Sequence, residues 1–365
     1  MGIDDVWILT LNAGSSSLKF AAYQANTDQQ IIAGQIAAIG PSAKMVLNGN
    51  SVSIDADNYA DAVRAVFKTL LDHSALSPTP AIIGHRIVHG GKLHAAAEIS
   101  PEVGLEIEAA AALAPLHNPP ALAVIDAVND ILPDVRQLAC FDTTFHADNP
   151  QVATTLPIPK DLRDKGLRRY GFHGLSYASL VRRFHDVTGV PLPHRILALH
   201  LGAGASLAAI VDGKGVATTM GFSPMDGLVM ATRAGAMDVG VILHLIRTEG
   251  MDADDLERML NRESGLFALS NGNADMKSLL ASDDPAAEFA VAHHCYWISR
   301  HAGSMIAAMQ GIDGFIFTGG VGENAAYIRD EILRQLSWTG DLPHWVIPAD
   351  EEGEIANAAK NALFS

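Results

Sequence analysis

The sequence predicts an α/β protein of two related lobes, each built on a mixed β-sheet flanked by helices. Its 365 residues correspond to about two domains. Short apolar, β-prone segments alternate with segments of helical periodicity, which is typical of α/β proteins. A strand–turn–strand pattern occurs near the start of the chain and again after its midpoint. Such hairpins require mixed rather than purely parallel sheets.

The two hairpins account for most of the strand predictions. Each has a strand, a turn of small residues and a second strand, at 6–11, 12–17 and 18–23 in the first hairpin and at 195–201, 202–205 and 206–211 in the second. Asp212 and Gly213 predict one more hairpin turn after the second. A buried strand is expected over 312–317, followed by a glycine-rich turn over 318–324 and a further helix.

Apolar residues at helical spacing predict helices in both halves of the chain. In the first half these helices cover 58–72, 101–113 and 119–132, and Pro101 is typical of a helix entry. In the second half they cover 239–247, 254–260 and 284–309. Three prolines interrupt the pattern near the middle of the chain: Pro150, Pro157 and Pro159. The predicted lobes are therefore residues 1–148, joined by a C-terminal helix over 353–365, and residues 149–352.

Composition favours a soluble globular protein of a reducing compartment. Hydrophobic residues make up 48 % of the chain and charged residues 18 %, which is a globular balance. The two cysteines, Cys140 and Cys295, cannot form a disulfide framework, so we expect a cytoplasmic location. The most apolar stretch, 196–211, contains His200 and Ser206 and is too short for a membrane span. No membrane partner is expected.

The charge balance makes a few cationic residues candidates for binding an anion. The chain has 25 basic and 41 acidic residues, a net charge of −16. Nucleic-acid binders normally have a basic excess, so no nucleic-acid partner is expected. An acidic protein that binds an anion needs local cationic sites. Arg86 and Arg233 stand among glycines and apolar residues, and guanidinium groups bind carboxylates and phosphates bidentately. His173 also lies between glycines, in a position to project from a loop.

Standard nucleotide and hydrolase signatures are absent from the sequence, including the P-loop, the Rossmann glycine motif, the nucleophile elbow and the zinc-protease motif. Instead, three glycine-rich segments follow apolar strands, at 14, 202–204 and 319–322. Backbone amides there can approach an anion closely, and the hydroxyls of 15–17 add donors. The three segments together predict a polyphosphate cradle between two lobes. Taken singly, each is more typical of an ordinary tight turn.

Two other positions allow more than one interpretation. Asp142 follows the apolar residues 138–140 and could orient a substrate oxygen or a metal-bound water, or could simply cap a turn. His293 and His294 precede Cys295, with His301 one heptad after His294. This cluster could bind a metal, but without a carboxylate or a second thiol a helix face or a subunit contact is favoured.

Eight segments in order resemble motifs of the acetate kinase family: 11–20 (LNAGSSSLKF), 84–91 (GHRIVHGG), 114–120 (APLHNPP), 139–146 (ACFDTTFH), 169–174 (RYGFHG), 200–202 (HLG), 232–233 (TR) and 317–324 (FTGGVGEN). The resemblance covers nearly the whole chain. It implies the actin-like, ribonuclease H-like fold of the acetate and sugar kinase, Hsp70 and actin superfamily, with two duplicated lobes and ATP in the cleft between them. It also implies reversible, direct in-line phosphoryl transfer from ATP to acetate, giving acetyl phosphate and ADP.

The resemblance further implies roles for individual residues. Its catalytic residues correspond to Arg86, Asp142, His173 and Arg233, with His173 and Arg233 stabilising the transition state. Its substrate pocket corresponds to Arg86, Val88, Leu116, Phe172 and Pro224. Its ATP-binding residues correspond to Ser15, Ser17, Lys19, His200, Gly202, Gly204, Asp275, Met276, Lys277, Gly320, Gly322 and Asn324. Its metal site, for Mg2+ or Mn2+, corresponds to Asn12 and Glu351. Because a carboxylate is already ionised near neutral pH, Asp142 is expected to orient rather than to remove a proton.

The resemblance implies a homodimer, nucleotide binding in the second lobe and a role in acetyl-CoA biosynthesis. Three positions depart from the family pattern, since Ala203, Ala236 and Lys277 replace asparagine, aspartate and arginine. The chain also looks shorter than typical members.

Two alternatives stay open from the sequence. A propionate or other short-chain acyl kinase could share the scaffold, since one methylene changes binding by only about 1–3 kcal/mol in an apolar pocket. An actin- or Hsp70-like nucleotide-dependent binding protein belongs to another class. Four residues speak against the latter, because a nucleotide switch needs no carboxylate clamp: Arg86, Asp142, His173 and Arg233.

Overall fold

The structure, a computed structural model, describes residues 6–365 except residues 28, 48, 73–75, 77 and 78. The chain divides into two compact units. Unit 1 comprises Met1–Thr144, Gly174–Ser179 and Asp350–Ser365, and unit 2 comprises Phe145–His173 and Leu180–Ala349. Glu351 thus belongs to unit 1. The lobe boundary between 148 and 149 stays a prediction.

The strands in the described part of the chain are β1 (Trp7–Ala13), β2 (Ser17–Gln24), β3 (Gln30–Ala37), β4 (Lys44–Leu47), β5 (Asn50–Ser53), β6 (Ile82–Ile87), β7 (Ala97–Glu98), β8 (Arg136–Phe141), β9 (Arg195–Leu201), β10 (Ala205–Val211), β11 (Lys214–Thr218), β12 (Gly314–Thr318) and β13 (His344–Val346). Both predicted hairpins, β1–β2 and β9–β10, are confirmed. The turn predicted at Asp212 and Gly213 joins β10 to β11.

The helices in the same residues are α1 (Tyr59–Leu71), α2 (Pro101–Ala109), α3 (Asn118–Ile131), α4 (Gln151–Thr154), α5 (Lys160–Arg163), α6 (Gly174–Thr188), α7 (Val239–His244), α8 (Ala253–Arg262), α9 (Gly265–Leu269), α10 (Met276–Leu280), α11 (Pro285–Met309), α12 (Gly319–Asn324), α13 (Ala326–Gln335) and α14 (Glu351–Phe364). Short 3-10 helices lie at Ala110–Leu113, Thr144–His146 and Ser337–Thr339, and a π-helix at Leu245–Glu249 extends α7. None of these helices is long and apolar enough to cross a membrane.

Each unit contains one mixed sheet within the described residues. The strand order is β5-β4-β3-β2-β1-β6-β8-β7 in unit 1 and β11-β10-β9-β12-β13 in unit 2. In unit 1, the antiparallel strands β3, β2 and β1 are followed by β6 and β8, which run parallel to β1. In unit 2, β11, β10 and β9 are antiparallel, and β12 and β13 run parallel to β9. This shared order confirms the predicted duplication and mixed sheets.

Local sequence explains where the helices begin. The Asn58 side chain accepts a hydrogen bond from the Asp61 amide at 2.9 Å, and this cap starts α1 within the predicted helix 58–72. Ser100 caps α2, which has Pro101 in its first turn. The α-helical part of that predicted helix ends earlier than expected, at Ala109, and continues as a 3-10 turn.

The prediction of a turn at 318–324 was wrong. Gly319–Asn324 forms the short helix α12, and only Gly319 has the left-handed backbone, with φ of 79°, that glycine favours. The Gly319 amide donates to Glu323 Oε1 at 3.0 Å. A carboxylate that accepts from the first amide of a helix favours the helix start over an open turn.

The sheet of unit 1 is buried on both faces. On one face Leu9, Leu11 and Ile83 pack with residues of α1 and α3 such as Val66 and Val128. On the other face Ile8, Ile82 and Leu138 pack with Ile355, Ala356 and Ala359 of α14. Because neighbouring residues of a strand point to opposite faces, a strand buried on both sides is apolar throughout. This explains why the sequence shows a continuous apolar run rather than alternation.

Gly84 allows α14 to lie close to β6. A Cβ atom at this position would overlap Ile355 Cγ2 and would lie 3.7 Å from the Ala359 side chain. Ile355 is fully buried and branched at Cβ, so it cannot turn away easily. The glycine therefore sets the distance at which α14 packs.

We expect Gly84→Ala to lower the free energy of unfolding by about 1–3 kcal/mol, because the added methyl group overpacks this contact. In an Ile355→Ala background the same change should cost much less, since the clash is then removed. Urea unfolding measures both effects. Gly104→Ala is the control, because open space surrounds Gly104 within α2 and alanine favours a helix by up to about 1 kcal/mol. Equal effects of the two glycine changes would contradict the proposed contact.

Candidate functional site

Unit 1 gathers polar side chains at the carboxyl ends of three parallel strands. Asn12 is the penultimate residue of β1, Arg86 the penultimate residue of β6, and Asp142 follows β8 directly. The Asp142 amide continues the ladder by donating to the Ile87 carbonyl at 3.0 Å. Because the carboxyl ends of parallel strands meet at one edge, these three residues lie together, as they do in the ligand sites of open α/β sheets.

Arg86 is the centre of this group. Its Nε and Nη2 atoms donate to Asp142 Oδ1 and Oδ2 at 3.1 and 2.7 Å, a bidentate pair. Its Nη1 atom donates to Asn12 Oδ1 at 3.2 Å and lies 3.2 Å from Glu351 Oε2. Asn12 Nδ2 in turn donates to Glu352 Oε1 at 2.9 Å. We refer to Asn12, Arg86, Asp142, Glu351 and Glu352 as the Arg86 cluster.

The Arg86 cluster holds more negative than positive charge. Burial raises the pKa of Asp142 to about 6, and the neighbouring Arg86 guanidinium opposes this effect. Burial also acts against the charged form of Arg86, but the attraction of Asp142, Glu351 and Glu352 outweighs it and raises the pKa of Arg86. With three carboxyl groups around one guanidinium, the composition of the cluster suits a further cation.

The oxygen atoms of the Arg86 cluster are suitable ligands for a hard divalent cation. Mg2+ prefers carboxylate and amide oxygens, and it is usually held by one or two carboxylates together with substrate phosphates rather than by a complete protein cage. Glu351, Glu352 and Asn12 offer such oxygens at the start of α14 and the end of β1. In the described part of the chain, no three His, Cys, Asp or Glu side chains form a complete metal site. Glu351, Glu352 and Asn12 thus offer oxygen atoms of the kind that Mg2+ binds.

The first hairpin adds donors beside this cluster. Lys19 pairs with Asn12 in the register of β1 and β2, so the two side chains share one face of the sheet. At the hairpin tip Ser15 is exposed, and the Gly14 amide donates to the Ser17 carbonyl at 2.8 Å. The predicted residues Ser15, Ser17 and Lys19 are thus on one short hairpin.

In unit 2, His173 is held by a pair of residues from the second hairpin. Its ring stacks on the His200 ring with a centroid distance of 4.1 Å and an interplanar angle of 21°. Its Nδ1 atom lies 2.8 Å from Ser206 Oγ. His200 and Ser206 are directly paired across β9 and β10. The sequence had singled out His173 and His200 but not Ser206, although a polar residue opposite His200 was a usable signal.

The tip of the second hairpin lies close to two side-chain nitrogen atoms. A Cβ atom at Gly204 would be 3.3 Å from His173 Nε2 and 3.7 Å from Arg233 Nη1. Arg233 Nη1 also donates to the Pro224 carbonyl at 3.3 Å. Burial lowers the pKa of Arg233. His173, Gly204 and Arg233, distant in sequence, are therefore neighbours, and this arrangement suits an anion with several oxygens.

A cavity of about 640 Å³ in unit 2 contains half of the predicted nucleotide residues, namely Gly202, Asp275, Met276, Lys277, Gly320 and Asn324. It is also lined by residues that sequence reasoning missed, including Ala231, Leu266, Leu280, His294 and Val321. The departures Ala203 and Lys277 are both in its lining. Its size and mixed lining are typical of small-molecule sites.

Local structure explains how the cavity residues are placed. Asp275 caps α10 by accepting from the Ser278 amide at 2.9 Å, which presents Met276 and Lys277 in the first turn. Gly202 and Gly320 are neighbours, since a Cβ atom on Gly202 would lie 3.8 Å from the Gly320 amide nitrogen, an ordinary contact distance. Gly322 does not line the cavity; it is buried in α12 against β9.

The four apolar residues predicted for the acyl pocket are divided between the units. Val88 is buried just after β6 and Leu116 is half-buried before α3, both in unit 1. Phe172 is buried and Pro224 half-buried in unit 2. Their joint role stays a prediction.

Histidines of the α11 cluster make hydrogen bonds within unit 2. His294 is buried, and its Nδ1 atom donates to the Val229 carbonyl at 3.0 Å. His293 Nε2 accepts from Trp297 Nε1 at 3.0 Å. No metal-ligating group of three that includes these residues is found among the residues described.

Comparisons with known proteins found similar sequences and similar solved structures. The model of the acetokinase family matches residues 7–358. The acetate kinase of Rhodopseudomonas palustris (strain TIE-1) is 40% identical over 384 residues, covering 96% of each chain. The solved propionate kinase of Francisella tularensis is 31% identical, with a TM-score of 0.92 over 98% of this chain and 99% of that one. The solved acetate kinase of Porphyromonas gingivalis is 31% identical, with a TM-score of 0.88 over 99% and 100%.

We expect Arg86→Met to lower the free energy of unfolding by about 3–5 kcal/mol, because it leaves the buried Asp142 carboxylate without its partner. In combination with Asp142→Asn the cost should be smaller than the sum of the single changes, since both remove one interaction. Urea unfolding of the wild-type protein, the two single variants and the double variant tests this double-mutant cycle. Arg64→Met is the control, because it breaks a 2.7 Å ion pair with Asp61 that is largely exposed and worth at most about 1 kcal/mol. Strictly additive costs would contradict the coupling.

Proposed function

The chain belongs to the acetokinase family, and we propose that it transfers a phosphoryl group reversibly from ATP to acetate, giving acetyl phosphate and ADP. It is a phosphotransferase that acts on a carboxyl group. The observation that carries the assignment of acetate is the partly buried Arg86 guanidinium, held by Asp142 at the carboxyl ends of parallel strands. A nucleotide-dependent switch of the actin or Hsp70 kind has no need of such a carboxylate-binding group.

Phosphoryl transfer requires alignment and charge stabilisation rather than covalent work by the protein. In the proposed assignment Arg86 orients the acetate carboxylate, and Asp142 holds Arg86 in place through its two hydrogen bonds. Arg233 and His173 Nε2, both close to Gly204, donate to the oxygens of the phosphoryl group, where negative charge must be stabilised. Because acetate is ionised near neutral pH, no general base is needed.

The nucleotide is assigned to unit 2. The cavity that contains Asp275, Met276 and Lys277 has a volume of about 640 Å³ and fits a nucleoside. Amides of the 202–204 turn and of Gly320 are proposed to bind the phosphates. Ser15, Ser17 and Lys19 of unit 1 supply hydroxyl and ammonium donors for the same groups.

We infer that the Arg86 cluster binds Mg2+, for which Mn2+ can substitute, through Glu351 with Asn12 beside it. This inference is supported by the candidate ligand groups, which are three carboxylates and an amide around a single guanidinium. When bound, the ion offsets negative charge on the nucleotide phosphates. Glu351 and Asn12 orient each other, with Asn12 Nδ2 3.4 Å from Glu351 Oε2.

Propionate is the second candidate acceptor. A solved propionate kinase is 31% identical to this chain, and an apolar pocket distinguishes acids that differ by one methylene only weakly. The residues proposed to contact the acyl tail are Val88, Leu116, Phe172 and Pro224.

We further propose that the protein is a homodimer and that α7 contributes to the interface. None of the residues of α7 or of the π-helix that follows it is buried, although most are apolar. Val239, Val241, Leu243 and Ile246 are between 44% and 75% exposed. Apolar patches of this kind mark interaction sites, and a second copy can cover the patch with its own identical surface.

We propose a cytoplasmic location because neither cysteine forms a disulfide. Cys140 and Cys295 are both buried and free. Proteins of oxidising compartments tend to carry disulfides instead.

We expect the purified protein to form an acyl hydroxamate when it is incubated with MgATP, hydroxylamine and acetate, because hydroxylamine traps acyl phosphates. Propionate and butyrate in parallel reactions decide the preferred acid.

Removal of Mg2+ with a chelator should abolish product, and Mn2+ should restore it. Arg233→Ala and His173→Ala should lower turnover by about 100-fold or more, as loss of a single donor to developing charge does elsewhere. Absence of product with every acid would overturn the proposed function.

We expect the wild-type protein to sediment as two associated chains, and Leu243→Glu to sediment as one, because a buried charge opposes the apolar contact. Analytical ultracentrifugation over a range of concentrations measures both. Val152→Glu is the control, since Val152 is an isolated apolar residue that is 91% exposed. A monomeric wild-type protein, or a dimeric Leu243→Glu variant, would rule out this interface.

A further inference from the structure

We propose that Ser206 is a positioning residue for His173. Its hydroxyl donates to His173 Nδ1 and so keeps the imidazole proton on Nε2, the nitrogen that lies beside Gly204 and Arg233. The inference rests on the proposed function, in which Nε2 donates to the phosphoryl group. It extends that function by assigning the residue that decides which ring nitrogen can donate.

The geometry of the contact supports this role. Ser206 Oγ and His173 Nδ1 are 2.8 Å apart, a normal hydrogen-bond distance. Ser206 is fully buried, and it is paired in register with His200, whose ring stacks on His173. The β9–β10 hairpin thus contacts the His173 ring at two places. One contact fixes the plane of the ring and the other fixes its rotation in that plane.

The backbone conformation of His173 explains why the contacts of its ring with Ser206 and His200 are needed. Its φ is 58°, in the left-handed region that residues other than glycine rarely adopt. His173 also precedes the first residue of α6 and has no side-chain capping bond there. Its ring is therefore oriented by what it touches, and the contacts with Ser206 and His200 hold it.

Because phosphoryl oxygens accept hydrogen bonds, they determine the direction of the hydrogen bond between Ser206 and His173. In a neutral imidazole one nitrogen donates and the other accepts. Phosphoryl oxygens only accept, so the nitrogen that faces them must carry the proton. A Cβ atom at Gly204 would be 3.3 Å from Nε2, which identifies Nε2 as the nitrogen at the hairpin tip. Nδ1 must then accept, and the Ser206 hydroxyl can supply the donor.

Ser206 is a buried polar residue in an apolar strand. Its neighbours on β10, Ala205, Leu207 and Ala208, are small or apolar and completely buried. A buried hydroxyl is costly unless it is hydrogen-bonded, and the contact with His173 provides such a bond.

The test combines kinetics with histidine-selective ¹⁵N NMR. The variants are Ser206→Ala, which removes the donor, and Ser206→Thr, which keeps it. Ser179→Ala is the matched control, because Ser179 is also fully buried and its hydroxyl makes one 2.8 Å bond, to the Ser176 carbonyl. The His173 signal is assigned by its absence in His173→Gln. Spectra are recorded without substrates, near pH 8, where an ordinary imidazole is neutral.

We expect wild-type His173 to carry its proton on Nε2 and Ser206→Ala to show a mixture of the two tautomers. Turnover of Ser206→Ala should fall by about tenfold or more, with little change in KM for ATP or acetate, because the loss affects only transition-state stabilisation. Ser206→Thr should recover the wild-type tautomer and turnover, and Ser179→Ala should keep both.

A proton on Nδ1 in the wild-type protein would overturn the proposal without the need for any variant. So would a Ser206→Ala protein whose tautomer and turnover match those of Ser179→Ala, or one in which only KM changes. If no acid yields hydroxamate, the proposed function fails, whereas the NMR result still decides which nitrogen Ser206 leaves protonated. The two failures are therefore distinguishable.

Discussion

The ion pair between the partly buried Arg86 and the buried Asp142 is the interaction on which the organisation of unit 1 depends. Removing charged groups from water is costly unless their partners surround them with good geometry. Asp142 provides two hydrogen bonds because β8 lies parallel to β6 and ends beside it. Glu351 comes from the far end of the chain, because α14 packs on β6 at Gly84. The sheet order and the terminal helix therefore both serve to neutralise one side chain.

The same sheet order supports a different kind of site in unit 2. There the hairpin β9–β10 supplies His200, Ser206 and the Gly204 tip, and the ring of His173 lies against them. Unit 1 thus combines carboxylates that suit a cation with the Arg86 guanidinium that is proposed to bind acetate, whereas unit 2 has side-chain nitrogens and amides that suit an anion. A protein with a net charge of −16 can bind anions only where such donors are concentrated. The proposed reaction needs both kinds of chemistry.

Much of the fold was predictable because it is encoded locally. The hairpins follow from short apolar runs around small-residue turns, and α1 follows from its periodicity and its Asn58 cap. Strands β3 to β5 and helix α6 were not predicted, because their patterns are weak and partner strands or packing decide them. The segment 318–324 was misassigned as a turn, since glycine is common both in turns and at helix starts, and the capping contact of Glu323 could not be seen.

The sequence by itself determined the residue types available for chemistry and, through long motifs in family order, the kind of reaction. It identified Asn12, Arg86, Asp142, Glu351, His173 and Arg233 as candidates. Only the tertiary structure decided their partners: Glu352 joins Asn12 from 340 positions away, and Ser206 contacts His173 across 33. The physical reason is that hydrogen bonds, burial and the pKa shift of Asp142 depend on distances in space, which strand pairing and helix packing create.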